Sequence, residues 1–331
     1  MSDAPNLPAR RRYDPSAIVS TNEPITADDV VEAFLRQYSA NTLAAYDSDL
    51  KDFGRFYGGG LTAKQAVASL FQCSQATANM LVMRYRQWLE GQGLSPSTVG
   101  RRLAAIRSIV RLGRTLGQVT FTIDVRSPKQ VKLRDTRGPG RDGWLMMRDA
   151  ARQSAELGDH RAIRDLAIVA VLRGCALRRN ELIELDLAHA ELDGEPAIWI
   201  RGKGQSERIR LTLPDSSAEA LRAWIAARGE EPGPLFYRMD RGVKYSGIMT
   251  RLTGRSIGRL VPKLAERSGI ARRVRPHGIR HEAITAALDR THGDVRRVQQ
   301  FSRHKDVRTL MRYDDNRKDE AGSIAKLIDE G

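Results

Sequence analysis

The sequence predicts a mainly α protein with one small β-sheet, split into an all-α domain and a later mixed α/β domain. Apolar residues recur at helical spacing through the first third of the chain. Two short β-branched runs, Ala197-Ile198-Trp199-Ile200 and Arg208-Ile209-Arg210-Leu211-Thr212-Leu213, are joined by a glycine-containing turn, as in a hairpin. Between these regions, residues 124–141 lose all periodicity and turn to Ser-Pro, basic residues and Gly-Pro-Gly. At 331 residues the chain exceeds one typical domain, and 41% apolar with 29% charged residues suits two ordinary cores.

The elements follow in order. Residues 1–24 are rich in Pro, Arg, Ser and Asn and read as a mobile basic arm. Thr26-Ala27-Asp28-Asp29 is an N-terminal capping signal, after which Val30, Val31, Phe34 and Leu35 share a helical face. Ser39 opens a second helix through Leu43, Tyr46, Leu50 and Phe53, ended by Gly58-Gly59-Gly60. A third helix is expected over 74–90, stopped by Gly91 and Gly93. A fourth begins at Ser95-Pro96 and runs through Leu103, Ile106, Val110 and Leu112. These make one helical domain, 25–123, and residues 124–141 are the expected linker. The second domain, 142–313, holds an apolar helix at 162–172, the hairpin, and helices at 216–228, 255–268, 279–291, 295–301 and 307–313. A tail, 314–331, carries a last short helix near 324–328.

A net charge of +15 and a pI near 10.2 call for a polyanionic partner, because Lys and Arg release counterions from phosphates. The charge is uneven: residues 265–312 hold 12 Lys/Arg against 5 Asp/Glu, and 314–331 hold 6 acidic against 3 basic residues. Cys73 and Cys175 are the only cysteines, too few for a disulfide framework or metal cluster, which suits a reducing cytoplasm. No apolar h-region follows Arg10-Arg11-Arg12, and no run approaches 18 apolar residues, so neither an export signal nor a membrane span is expected. Without a glycine-rich phosphate loop or an acidic cluster, no cofactor and no metal is expected.

Several residues suit attack on a phosphodiester. Displacement there builds charge on two nonbridging oxygens, which planar arginine forks match. Arg178 precedes Glu181 by three positions, so the carboxylate can hold the guanidinium from behind; alone, Arg178 reads as a surface ion-pair residue. His277 and Arg280 face one side of a helix start, a weak signal by itself. Lys203, between Gly202 and Gly204 at the hairpin tip, is equally a solvated turn lysine or a proton donor beside DNA. His304 precedes Tyr313 by nine positions; a lone tyrosine at a helix end is ordinarily a packing residue, and its phenol needs a base and nearby cations to act as a nucleophile.

Together, in order and spacing, these pieces resemble the tyrosine recombinase, or phage integrase, family over about residues 25–320. Ala176-Leu177-Arg178-Arg179-Asn180-Glu181-Leu182 is similar to its first arginine box and Gly202-Lys203-Gly204 to its hairpin lysine. His277-Gly278-Ile279-Arg280-His281 matches its His-x-x-Arg box, and His304 with Tyr313 its terminal box. The opening of the helical region, Asn41-Thr42 with Tyr46 and Leu50, resembles the family's core-binding domain. Two departures stand out: Ser302-Arg303-His304 replaces the usual Leu-Gly-His, and Cys175-Ala176 stands where glycine often occurs.

The resemblance implies a SAM-like core-binding domain and a mixed α/β catalytic domain that clamp double-stranded DNA. It implies Tyr313 as nucleophile forming a 3′-phosphotyrosyl link, Arg178, Arg280 and His304 on the phosphate, His277 as base and Lys203 as acid. Glu181 and His281 are implied as supports. It further implies a tetramer formed on DNA through the tail, and a cytoplasmic, nucleoid-associated enzyme. A type IB topoisomerase, a binding-only protein and a metal-independent histidine nuclease are the alternatives. The first shares the chemistry, and the small helical N-terminal domain and short tail favour recombination over it. Persistent binding with loss of covalent linkage in Tyr313→Phe distinguishes the phenol chemistry from the other two.

Overall fold

The computed structural model describes residues 25–38, 40–58, 60–129, 138–202, 204–239, 249–314 and 328–329, with the backbone alone for residues 40, 41 and 311–314. The expected arm, Lys203, residues 130–137 of the expected linker and nearly all of the tail lie outside the described residues. The chain forms two compact units, Met1–Leu133 and Arg134–Gly331, and its fold is mainly α with a small β-sheet.

The first unit packs helices α1 (Ala27–Arg36), α2 (Ala40–Tyr57), α3 (Ala63–Phe71), α4 (Gln75–Gly91) and α5 (Pro96–Thr115). Helix starts are set by local chemistry. Thr26 and Asp29 cap α1 reciprocally, Thr62 and Gln65 do the same for α3, and Ser74 and Ser95 cap α4 and α5. Val30, Phe34, Leu50, Phe53, Leu70, Val82, Leu89, Leu103 and Ile106 form the core. Helix α3 is an element the sequence reading passed over between the glycine run and Ser74; Val67, Leu70 and Phe71 bury its apolar face. After α5 the chain runs extended, burying Val119, Phe121, Ile123 and Val125 in the same core. Asn79 pins this strap by donating to the Thr122 carbonyl and accepting from the Asp124 N–H, each at 2.8 Å.

The second unit comprises α6 (Gly140–Glu156), α7 (His160–Gly174), α8 (Arg179–Ile183), β1 (Ala190–Glu191), β2 (Ala197–Arg201), β3 (Arg208–Thr212), α9 (Asp215–Arg228), α10 (Gly254–Arg267), α11 (Pro276–Arg290), α12 (Val295–Ser302) and α13 (Val307–Asp314). Helix α6 begins inside the segment read as linker and was not foreseen. The sheet is antiparallel in the order β1-β2-β3, with Ala197 opposite Thr212 and Ile200 opposite Ile209. The hairpin is therefore as expected, with a two-residue third strand at its edge. Ala167 to Leu172 make α7 the central helix, packed on α6, α9 and α11. A smaller cluster of Ala176, Ala283, Ile284, Leu288, Val298 and Leu310 joins the loop after α7 to α11, α12 and α13. Among the described residues, no helix is long and apolar enough to cross a membrane.

Candidate active site

The loop after α7 and the turn after α12 meet at the N-terminal end of α11, and the side chains of interest come from all three. Arg178 is the residue before α8. Its own N–H donates to Glu181 Oε2 at 2.8 Å and its Nη1 to Oε1 at 2.6 Å, so one carboxylate holds both backbone and guanidinium. Its Nη2 donates across 125 positions to the Arg303 carbonyl at 3.0 Å. Arg178 keeps 32% of its side chain exposed while Glu181 keeps 3%, so the carboxylate is behind and the cation in front. Burial works to raise the Glu181 pKa, but Arg303 and the bonds from Arg178 outweigh it and hold the carboxyl below its ordinary value.

Helix α11 supplies the next groups. Pro276 occupies its first turn, which favours a sharp helix start. Arg280, one turn in, is buried and donates to the carbonyls of Ala176 and Ser302. Its Nη2 also lies 3.5 Å from His304 Nε2. His304 Nδ1 is 2.9 Å from the Ser302 hydroxyl, which donates or accepts and so suits either tautomer. Arg178, Arg280 and His304 are thus gathered on one turn. Since each Nη nitrogen carries two N–H groups, Arg178, with 32% of its side chain exposed, can still present a donor toward solvent.

The electrostatics follow from this crowding. Burial first, then Arg280, Arg178, His277 and Arg303, push the His304 pKa down to about 4. His277 is also lowered, by desolvation and then by Arg280 and Arg178. His277 is exposed at the surface, and the two cations act in the same direction as its partial desolvation. Both imidazoles are therefore neutral at pH 7. His281 lies further round α11, where its Nδ1 is 3.3 Å from the Thr285 hydroxyl.

Tyr313 lies near the end of α13, which packs on α11 and α12 through the fully buried Leu310. Its side chain lies outside the described residues, as does Lys203, whose neighbour Gly204 adopts φ +73° in the hairpin turn. The strands that carry that turn are described, and they end at Arg201 and begin again at Arg208.

Both departures noted in the sequence turn out to be left-handed backbone positions. Ala176 has φ +43° and Arg303 φ +56°, conformations that cost a non-glycine residue roughly 1–2 kcal/mol. Such strain gathers at functional sites. The carbonyls of Cys175, Ala176, Ser302 and Arg303 are the acceptors on which the arginines rest. Sequence reasoning assigned Arg303 no task; the sign was a bulky charged residue in a turn where glycine is at home.

Comparison with known proteins agrees with this layout. Residues 147–320 match the model of the phage integrase family, and residues 33–112 match that of the phage integrase N-terminal SAM-like domain. A tyrosine recombinase of Synechococcus elongatus is 35% identical over 92% of this chain and 95% of its own length. Another, from Synechocystis sp., is 35% identical over 91% of this chain and 94% of its own. The tyrosine recombinase XerC of Salmonella typhi is 28% identical, covering 84% and 86%. Among solved structures, XerH recombinase bound to its difH substrate before cleavage superposes with a TM-score of 0.64 at 19% identity, over 92% of this chain and 85% of that one. A lambda integrase dimer bound to a core site also gives 0.64, at 14% identity, over 94% and 83%. At these identities the structural likeness speaks for the fold.

A helical unit followed by a mixed unit whose arginines and histidines gather on one turn is the plan of an enzyme that breaks and rejoins DNA strands. The chain belongs to the tyrosine recombinase family, as a tyrosine-type site-specific recombinase.

Proposed function

We propose that this recombinase cleaves double-stranded DNA with the Tyr313 phenol and holds the cut strand as a 3′-phosphotyrosyl ester. The observation that carries the reading is the convergence of Arg178, Arg280 and His304 on the turn at 302–304, beside the helix bearing Tyr313. An ordinary tyrosine has a pKa of about 10, so attack needs a proton acceptor and neighbouring positive charge. His277, neutral because desolvation and the arginines depress it, is that acceptor. Arg178 and Arg280 neutralise the nonbridging oxygens as charge builds, and His304 adds a hydrogen bond.

Attack forms the tyrosyl O–P bond and breaks the bond to the departing 5′ oxygen, which takes its proton from Lys203. Because the new ester conserves the energy of the phosphodiester, a 5′ hydroxyl from a second duplex reverses the step without ATP. The charge on the phosphate is met by guanidinium groups, so the mechanism calls for no metal. Glu181 holds Arg178 from behind, and His281 supports α11 through Thr285.

The +15 charge supports duplex DNA as the partner, held by a core-binding domain at 25–123 and a catalytic domain at 142–313 in a cytoplasmic, nucleoid-bound enzyme. Assembly into a tetramer on DNA would use the tail, 314–331. A groove of about 530 Å³ between α6, α7 and α9, floored by Trp144, Leu145, Ile163 and Leu166 and edged by Arg148 and Arg152, matches the apolar and acidic character of that segment. Integration, excision, transposition and dimer resolution all use this chemistry.

The test is a nicked duplex that traps the covalent intermediate, incubated in chelator. The parent is expected to form a protein–DNA band stable to denaturant, and Tyr313→Phe to bind equally but form none. A covalent band from Tyr313→Phe would remove the phenol from the mechanism.

A further inference from the structure

We propose that Arg303 is a positioning residue of this site, one that sets Glu181 and, through it, the guanidinium of Arg178 for strand cleavage. The proposal rests on the function proposed above and adds a residue to it. Arg303 sits at φ 56° and ψ 37°, a conformation glycine adopts at least cost. A long charged side chain held there is compensated by what it touches. Nη1 donates to the carbonyls of Phe301 at 2.9 Å and Cys175 at 3.0 Å, and Nη2 to the Ala176 carbonyl at 3.1 Å and Glu181 Oε2 at 3.0 Å.

These contacts close a circuit. Glu181 gives Oε1 to Arg178 and Oε2 to Arg303, while Arg178 Nη2 donates back to the Arg303 carbonyl. The Ala176 carbonyl accepts from both Arg303 and Arg280, so one side chain braces both expected phosphate-binding arginines. Only 12% of the Arg303 side chain is exposed, so it acts from inside the protein and does not itself meet DNA. Charge gives a second reason. Glu181 facing Arg178 alone would cancel it; with Arg303 on the other oxygen, the pair of guanidiniums keeps a surplus positive charge for the phosphate. Glycine in this turn would free the backbone of strain but take from Glu181 Oε2 its guanidinium partner, leaving the Arg178 N–H as its bond within the circuit.

The test compares the parent with Arg303→Gly, Arg303→Lys, Glu181→Gln and the double variant Arg303→Gly/Glu181→Gln. Single-turnover formation of the covalent band, DNA affinity by anisotropy and thermal melting are read for each. Arg303→Gly is expected to cleave about 10- to 100-fold more slowly, the scale of loss that small misplacements cause. Its DNA affinity should stay within about threefold, because no phosphate contact is removed. Arg303→Lys, which keeps the charge but reaches fewer acceptors, should fall between parent and Arg303→Gly. The double variant should be no slower than Arg303→Gly alone, since both act through one carboxylate. Parent-like cleavage by folded Arg303→Gly, or affinity lost in step with rate, would overturn the proposal. Should the glycine variant not fold, parent-like cleavage by Arg303→Lys does so instead. A covalent band surviving in Tyr313→Phe would sink the proposed function whatever Arg303 does.

Discussion

Glu282 is the best place to ask what holds α11, and with it His277 and Arg280, in register. Its carboxylate receives Arg173 Nε at 2.6 Å and Nη2 at 3.0 Å, a two-pronged bond between α7 and α11. Glu282 keeps 4% of its side chain exposed and Arg173 keeps 24%, with the guanidinium 4.8 Å above the Trp144 ring. Removing one partner of a buried pair costs about 3–5 kcal/mol because the other charge is stranded. Arg173→Met strands the more buried partner, so about 3–4 kcal/mol is expected. Glu282→Gln keeps one acceptor and leaves a cation that reaches water and an aromatic face, so about 2 kcal/mol is expected. The double change Arg173→Met/Glu282→Leu replaces the pair with apolar volume and should come within about 1 kcal/mol of the parent. Urea unfolding followed by tryptophan emission, with Trp144 as a local reporter, measures all three. A double variant no more stable than Arg173→Met alone, or a Glu282→Gln cost under about 0.5 kcal/mol, would refute the idea that this pair ties α11 down.

Two further outcomes are expected. His304 and His277 both have folded pKa values below their unfolded value of about 6.5, so the folded state disfavours their protonation. Their contribution is fully present above about pH 6.5 and is lost as pH falls toward the His304 value of about 4; His304→Asn should flatten that acid limb in urea titrations, and an unchanged limb would contradict the assignment. In the groove beside α6, Arg148→Glu/Arg152→Glu should weaken higher-order assembly on DNA in sedimentation while leaving single-site binding within about threefold; a tetramer of undiminished stability would move the tail elsewhere.

Much of this molecule was legible in its sequence, and the parts that were not share physical causes. The hairpin, α7 and the helices from α9 to α13 have strong periodicity or clear end signals, and their expected positions agree with the observed ones to within a few residues. Helix α3 is only nine residues long and follows a glycine run, so its Thr62 and Gln65 capping pair was overshadowed. Helix α6 buries Trp144, Met147 and Ala151, a sparse stripe among charged residues, and begins within Gly138-Pro139-Gly140, which read as loop. Arg178, Arg280 and His304 were singled out by residue type and spacing, and the fold gathers them on one turn. What spacing cannot convey is the carbonyl scaffold at 175–176 and 302–303, because it depends on two backbone conformations that alanine and arginine seldom adopt. For that reason the arginine in the Ser302-Arg303-His304 turn stands in the sequence only as a departure from the family pattern.

The way the arginines are seated bears on how this chain is made. Arg178 rests on a carbonyl 125 positions downstream, and Arg280 on one 104 positions upstream. A nascent chain leaving the ribosome therefore cannot seat these two arginines until the turn at residue 303 has emerged and docked. On the function proposed above, cutting ability arrives in one late step, and a half-synthesised copy leaves DNA uncut.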